Sequence, residues 1–190
     1  MKTKLAAFVA IVGLLALSTP ARAEFISVSA DLPMTFAAKF SGTGTALSPD
    51  ASVSGLKLGV KLPFFMGLGL ENYTASLNAT TMGTPAALDY AVTMYDIFFT
   101  LPIPFINIVL GVGLGSGQFG ADTGPNYKAQ FETGAFYQYW VSGGISIAIV
   151  DIHVGVHMLS GTHLKKTGSV APSDLNVSAT MMSLGAKVGF

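Results

Sequence analysis

Residues Ile97 to Leu114 read IFFTLPIPFINIVLGVGL, eighteen consecutive residues without a charge. By hydropathy alone the stretch is long enough for a membrane helix. Pro102 and Pro104 sit near its start, and Gly111, Gly113 and Gly115 alternate through its end. In a helix interior a proline costs about 3 kcal/mol and a glycine about 1 kcal/mol. The β-branched and aromatic residues between them favour strands. The stretch therefore reads as the end of one strand, a tight turn at Leu101-Pro102-Ile103-Pro104, and the start of the next. Lipid admits only helices and closed barrels, because only these satisfy every backbone group.

Period-two alternation, the strand signature, recurs outward from this point. Even positions from Ile26 to Phe40 are apolar, while the odd ones include Ser27, Ser29, Asp31, Thr35 and Lys39. Leu56, Leu58, Val60 and Leu62 alternate with Lys57, Gly59 and Lys61. Ile152, Val154, Val156 and Met158 alternate with His153, Gly155 and His157. Met182, Leu184, Ala186, Val188 and Phe190 do so with Ser183, Gly185, Lys187 and Gly189. Polar, Gly-rich connections at 41–51, 78–86, 120–127 and 160–173 alternate with short apolar ones near 63–66, 101–105 and 148–151. That rhythm predicts strands over about 25–40, 52–62, 67–77, 87–100, 106–119, 128–147, 151–159 and 174–190. The fold class is all-β, an eight-stranded antiparallel up-and-down transmembrane barrel. Asn72 breaks the pattern of the third strand, where a bulge is expected.

Composition agrees. Of the 190 residues, 51% are hydrophobic and only 11% charged, against about a quarter charged in a soluble domain. Lys2 and Lys4, the apolar run from Leu5 to Leu17, and Ala21-Arg22-Ala23 before Glu24 read as a cleavable signal peptide over residues 1–23. The barrel is then residues 24–190. Removal of residues 1–23 leaves seven basic against ten acidic residues and no arginine, so a nucleic-acid partner is not expected. There is no cysteine to form a disulfide.

The terminal run Gly185-Ala186-Lys187-Val188-Gly189-Phe190 resembles the insertion signal of bacterial outer-membrane barrels. The chain after residue 23 resembles the small eight-stranded proteins of the OmpA-barrel, OmpX and OmpW kind. The resemblance implies a Gram-negative outer membrane, with Phe190 as the assembly signal; the alternation of long and short connections over eight strands puts both termini in the periplasm. Its implied partners are membrane lipid, lipopolysaccharide and the assembly machinery, and the chain is expected to be a monomer.

A barrel of eight strands is just wide enough for side chains to fill it or to hold one small ligand. The inward set contains Asp31, Lys39, Lys57, Lys61, Glu71, His153, His157 and Lys187, mixed charges that predict a plugged, ion-paired lumen. Asn107, Gly111 and Gly113 face Phe136 and Trp140 across it. The glycines there leave room either for those rings or for a small cavity. A first hairpin centred near Ala46 would set Asp31 opposite Lys61. His163 is expected in an exposed loop, and Lys165-Lys166 could touch lipopolysaccharide phosphates.

The function read from this is a porin-like barrel with a filled lumen and a structural or interaction role. A narrow conduit or binder for small apolar molecules is the alternative, and a lipid-modifying enzyme the second. No catalytic residue is assigned: His157 and Ser160, three apart, fall on opposite faces of a strand, and the sequence has no His-x-Ser pair. The pair His153 and His157 lacks an evident third metal ligand, and neither a metal nor another cofactor is expected.

Overall fold

The computed structural model describes residues 26–41, 46–47, 52–81, 84–101, 103, 106–122, 126–147, 150–171 and 173–189. The expected signal peptide and Phe190 lie outside them. The strands are β1 (Ser27–Ser41), β2 (Ala46–Leu47), β3 (Ser52–Lys61), β4 (Met66–Thr81), β5 (Thr84–Leu101), β6 (Ile106–Asp122), β7 (Gly134–Ile147), β8 (Val150–His163) and β9 (Leu175–Gly189). All pairings are antiparallel. β1 joins β9, and β4 joins β5, so the sheet closes on itself. The two residues of β2 pair with Thr80 and Ala79 of β4, above the rungs of β3. They extend the same stave, and the result is a closed eight-stave barrel. Pro102 and Pro104 fall between β5 and β6, as the opening stretch requires.

Several local expectations fail, three of them in the course of β1, β3 and β7. The strand expected from residue 128 begins at Gly134, because a single helical turn, α1 (Tyr127–Gln130), precedes it. Asp31 faces Lys57, and Lys61 faces Ser27. The first connection is no tight hairpin: its β2 residues pair with β4 and not with β1, so the loop midpoint does not set the register. Lys39, expected inward, lies exposed on the outer wall. Against β9, Pro33 pairs with Ser183 and Thr35 with Met182, which leaves Met34 as an extra residue. Proline offers no N–H to a ladder, so a bulge is a natural place for it. Beyond the bulge the faces exchange, and Phe36 and Ala38 point inward instead.

Asn72 marks something other than a bulge. β4 pairs with β3 and β5 across it without a register shift. What changes is the chemistry of the two faces. On β4 the outward residues are Leu68 and Leu70, then Asn72 and Ser76, while inward Glu71 gives way to Tyr73, Ala75 and Leu77. On β9, Met182 and Leu184 face out below Asn176, Ser178 and Thr180, and inward Lys187 and Ser183 give way to Met181, Ala179, Val177 and Leu175. On β8, outward Ile152, Val154 and Met158 are followed by Thr162, and inward Asp151, His153 and His157 by Leu159. On β5, inward Leu88, Tyr90, Val92 and Met94 end at Asp96 where outward Tyr95, Ile97 and Phe99 begin.

The barrel thus has two halves of opposite polarity. The half near the short turns is apolar outside and polar inside. The half near the long connections is polar outside and apolar inside, like a water-soluble barrel.

Candidate functional site

The turn-end half of the lumen holds the charges. β3 and β4 place Lys57 beside Glu71, with Nζ to Oε1 at 2.6 Å. The same ammonium lies 3.1 Å from Asp96 Oδ2 of β5 and 3.3 Å from the centroid of the Trp140 ring of β7. One cation is held by two carboxylates and an aromatic face, as a desolvated ammonium needs. Gln138 donates its amide to Asp96 Oδ1 at 2.7 Å. Below, His153 Nε2 lies 2.8 Å from Asp31 Oδ1, and Lys187 pairs with Asp151 at 2.6 Å. His157 stacks on Trp140, with ring centroids 5.5 Å apart and planes 19° apart. Its Nδ1 faces Glu71 Oε1 at 3.3 Å, and its Nε2 lies 3.1 Å from Ser183 Oγ.

The inward residues Asp31, Lys57, Lys61, Glu71, His153, His157 and Lys187 are therefore all buried in this half, and Lys39 is the one placed elsewhere. Asp96, Gln138, Asp151 and Ser183 belong to the same network. Parity carries three of them: the alternation that turns Lys187 inward also turns Ser183, that of His153 turns Asp151, and that of Phe136 and Trp140 turns Gln138. Asp96 stands one residue before the uncharged stretch, where no charged neighbour marks its face.

Asn107, Gly111, Gly113, Phe136 and Trp140 also point inward. They enclose little space. A methyl group on Gly111 would collide with the Trp140 indole, and one on Gly113 with the Asp96 carboxylate. The glycines make room for neighbouring side chains, and those side chains fill it. Small voids remain between them. One of about 20 Å³ lies among Asp31, Lys61, Asn107, Trp140 and Lys187 at the turn end. One of about 10 Å³ lies among Pro33, Leu56, Tyr73, His157, Met181 and Ser183. Each suits one water at most, or little more. No three potential metal ligands gather among the described residues.

The loop-end half is closed by rings. Phe119 lies 5.3 Å from Tyr127 of α1, 6.0 Å from Phe131 and 5.1 Å from Tyr90, centroid to centroid. Backbone bonds from Glu132 to Leu164 and from Lys166 to Gln130 tie the two long connections over them. His163, expected in solvent, is fully buried here. Its Nδ1 lies 2.7 Å from the Glu132 carbonyl, so Nδ1 carries the proton, and Nε2 accepts from the Tyr90 hydroxyl at 2.8 Å. β8 runs four residues further than its apolar alternation, and this carries the imidazole into the barrel.

The wall itself is uneven. Among the described residues β1 and β3 share five pairs, Ser27–Lys61 to Asp31–Lys57, and none above them, while β1 and β9 share fourteen. Pro33 and Leu56 stand where β1 and β3 part, at the smaller void.

These features define a small eight-stranded barrel of the outer-membrane kind. Among solved structures the chain is similar in fold to the outer membrane protein OprG from Pseudomonas aeruginosa, with a TM-score of 0.54 at 10% identity over 87% of this chain and 96% of that one. Neisserial surface protein A gives 0.48 at 15% identity, covering 87% and 97%. The outer membrane protein AlkL gives 0.48 at 13%, covering 91% and 95%. The sequence matches no family model and no curated protein. At these identities the likeness is one of fold.

Proposed function

We propose that the chain is an outer-membrane barrel with a sealed lumen, which acts at its wall and outer rim and not as a conduit. The observation that carries this reading is the filled interior: ion pairs below, packed rings above, and voids of only about 10 and 20 Å³ among them. The belt of exposed Leu58, Val60, Ile97, Leu110, Val112, Tyr139 and Val154 supports a lipid surrounding. On this reading the termini lie in the periplasm and the long connections face outward. Lys165 is exposed at that rim, while the Lys166 ammonium donates to the Lys128 carbonyl at 2.8 Å. Lipopolysaccharide phosphates fit Lys165 and Lys128 as contacts, and the assembly machinery remains the expected partner at the C-terminus.

A binder of small apolar molecules would use the gap between β1 and β3. The void behind that gap, about 10 Å³, is too small for a hydrocarbon, so the sealed reading is preferred.

The test is conductance of the full-length protein, extracted from the outer membrane in its unboiled, fast-migrating form and placed in planar bilayers. No step above baseline is expected. A stable ohmic conductance would overturn the reading.

A further inference from the structure

The cap over the loop-end half is fastened from inside by one imidazole. His163 is the last residue of β8, beyond Met158, where the apolar outer wall of that strand ends and Thr162 follows. It therefore lies clear of the lipid belt, yet it is fully buried. Its Nδ1–H donates to the Glu132 carbonyl at 2.7 Å, and its Nε2 accepts from the Tyr90 hydroxyl of β5 at 2.8 Å. Glu132 belongs to the connection that carries α1. One side chain of β8 thus ties that connection to the opposite wall. The other ties between the two long connections, Glu132 N–H to the Leu164 carbonyl, Lys166 N–H to the Gln130 carbonyl and the Lys166 ammonium to the Lys128 carbonyl, run along the rim.

The surroundings accept this imidazole only as a neutral ring. Phe119 of β6 lies 4.7 Å from it, and Phe136 of β7 and Tyr90 each 5.6 Å, centroid to centroid. Gly134 backs onto Nδ1, where a methyl group would collide with the ring. Across the ladder β9 presents Leu175. Among the described residues, Tyr90 is the one titratable side chain that touches the imidazole. The Glu132 carboxylate is exposed, Asp174 accepts from the Lys165 backbone N–H, and Asp89 of β5 accepts from Ser76. Lys128 and Lys165 are exposed at the rim. A proton added at Nε2 would therefore create a charge that no carboxylate answers. It would also meet the Tyr90 hydroxyl hydrogen, which must turn away from its partner. The ring faces attract a cation, but by less than a buried unpaired charge loses in hydration. Burial accordingly holds this imidazole below its ordinary value of 6.5, although the Glu132 carbonyl acts the other way.

We propose that His163 is an acid-sensitive latch, whose protonation frees α1 and the connection around it from the top of the barrel. The imidazolium gains hydration only when the segment over it lifts. Lifting takes Tyr127 and Phe131 away from Phe119, against which they pack when the cap is closed, and bares an aromatic surface at the outer rim. The sign follows from the direction of the shift. A histidine held below its ordinary value stabilises the closed cap fully above that value. The contribution is lost as the pH falls from 6.5 through the lowered value. The ion-paired half lies below this level and is not opened by the latch, so the inference does not depend on whether the lumen conducts.

The test is amide deuterium exchange of the folded, heat-modifiable barrel in detergent between pH 8 and pH 4.5, with rates corrected for the intrinsic effect of pH. Protection along residues 127–134 should fall at least 10-fold on acidification, while that along 181–187 stays unchanged. His163→Gln, whose amide can both donate to Glu132 and accept from Tyr90 without titrating, should keep the protection of 127–134 constant across the range. The wild-type chain alone supplies a second reading that needs no variant to fold. The imidazole resonances of His163 should titrate below pH 6.5, with the same midpoint as the loss of protection. Protection of 127–134 that holds to pH 4.5, or that falls equally in His163→Gln, would overturn the latch. So would titration of His163 at or above 6.5, or a midpoint separate from that of the exchange.

Discussion

The turn-end and loop-end halves of this barrel solve the same problem with opposite materials. Around the belt the outer wall is matched to lipid, so the side chains that would make an ordinary core are spent outside. The interior there is left to Lys57, Glu71, Asp96, Asp31 and their partners, whose desolvation is offset only while each charge keeps its mate. Above the belt the wall carries Ser, Thr and Asn, and apolar residues return inside as Leu77, Leu88, Tyr90, Phe119 and Leu175. There the hydrophobic effect supplies roughly 1.5–3 kcal/mol for each large side chain buried. The lower half depends on pairing and the upper on packing, so the two should fail differently.

The largest effect is expected from Lys57→Met. It strands Glu71 and Asp96 without their shared cation and should cost about 3–5 kcal/mol. Urea unfolding of the barrel in detergent measures it. Adding Asp96→Asn to the same chain should recover part of the loss, because fewer charges are left without a mate. A loss that only grows in the double variant would show that the lower half is held by packing after all.

Leu77→Ala tests the upper half. It removes a fully buried side chain and should cost about 2–4 kcal/mol. No second substitution among the charged residues should rescue it. Additivity with Lys57→Met, within a few tenths of a kcal/mol, would confirm that the halves are energetically separate; strong coupling would join them.

The smallest effect is the sharpest check of which face a residue occupies. Lys39→Gln on the outer wall should change stability by less than about 0.5 kcal/mol, in the same unfolding assay. A loss comparable to that of Lys57→Met would return Lys39 to the lumen and remove the bulge at Pro33.

The barrel and the lower lumen were legible because alternation there has one phase: apolar out, polar in. Lys57, Lys61, His153, His157 and Lys187 follow from it directly. The upper half was not legible for the same reason. Once the phase inverts, Tyr73 and Leu77 continue the inward row begun by Glu71, yet on hydropathy they look like outward residues, and Asn72 looks like a defect. In β9 the only mark of the inversion is the doubled Met181-Met182, and in β8 the adjacent Met158-Leu159. Lys39 shows the opposite case, where chemistry kept its phase and an extra residue at the Pro33 bulge exchanged the faces. The partners of Ser183 lay on other strands, 26 residues from His157, so no local spacing announced them.

A hoop is as strong as its shortest weld. In this one the chain's two ends, β1 and β9, are joined by fourteen rungs, whereas β1 and β3, its neighbour around the wall, share five among the described residues. The place to look for breathing is therefore not the closure made last in the chain but the joint between its first two staves. Amides along Ser52 to Leu56 should exchange with solvent deuterium well before those along Met181 to Lys187, and lateral strain from the surrounding bilayer would be relieved there first.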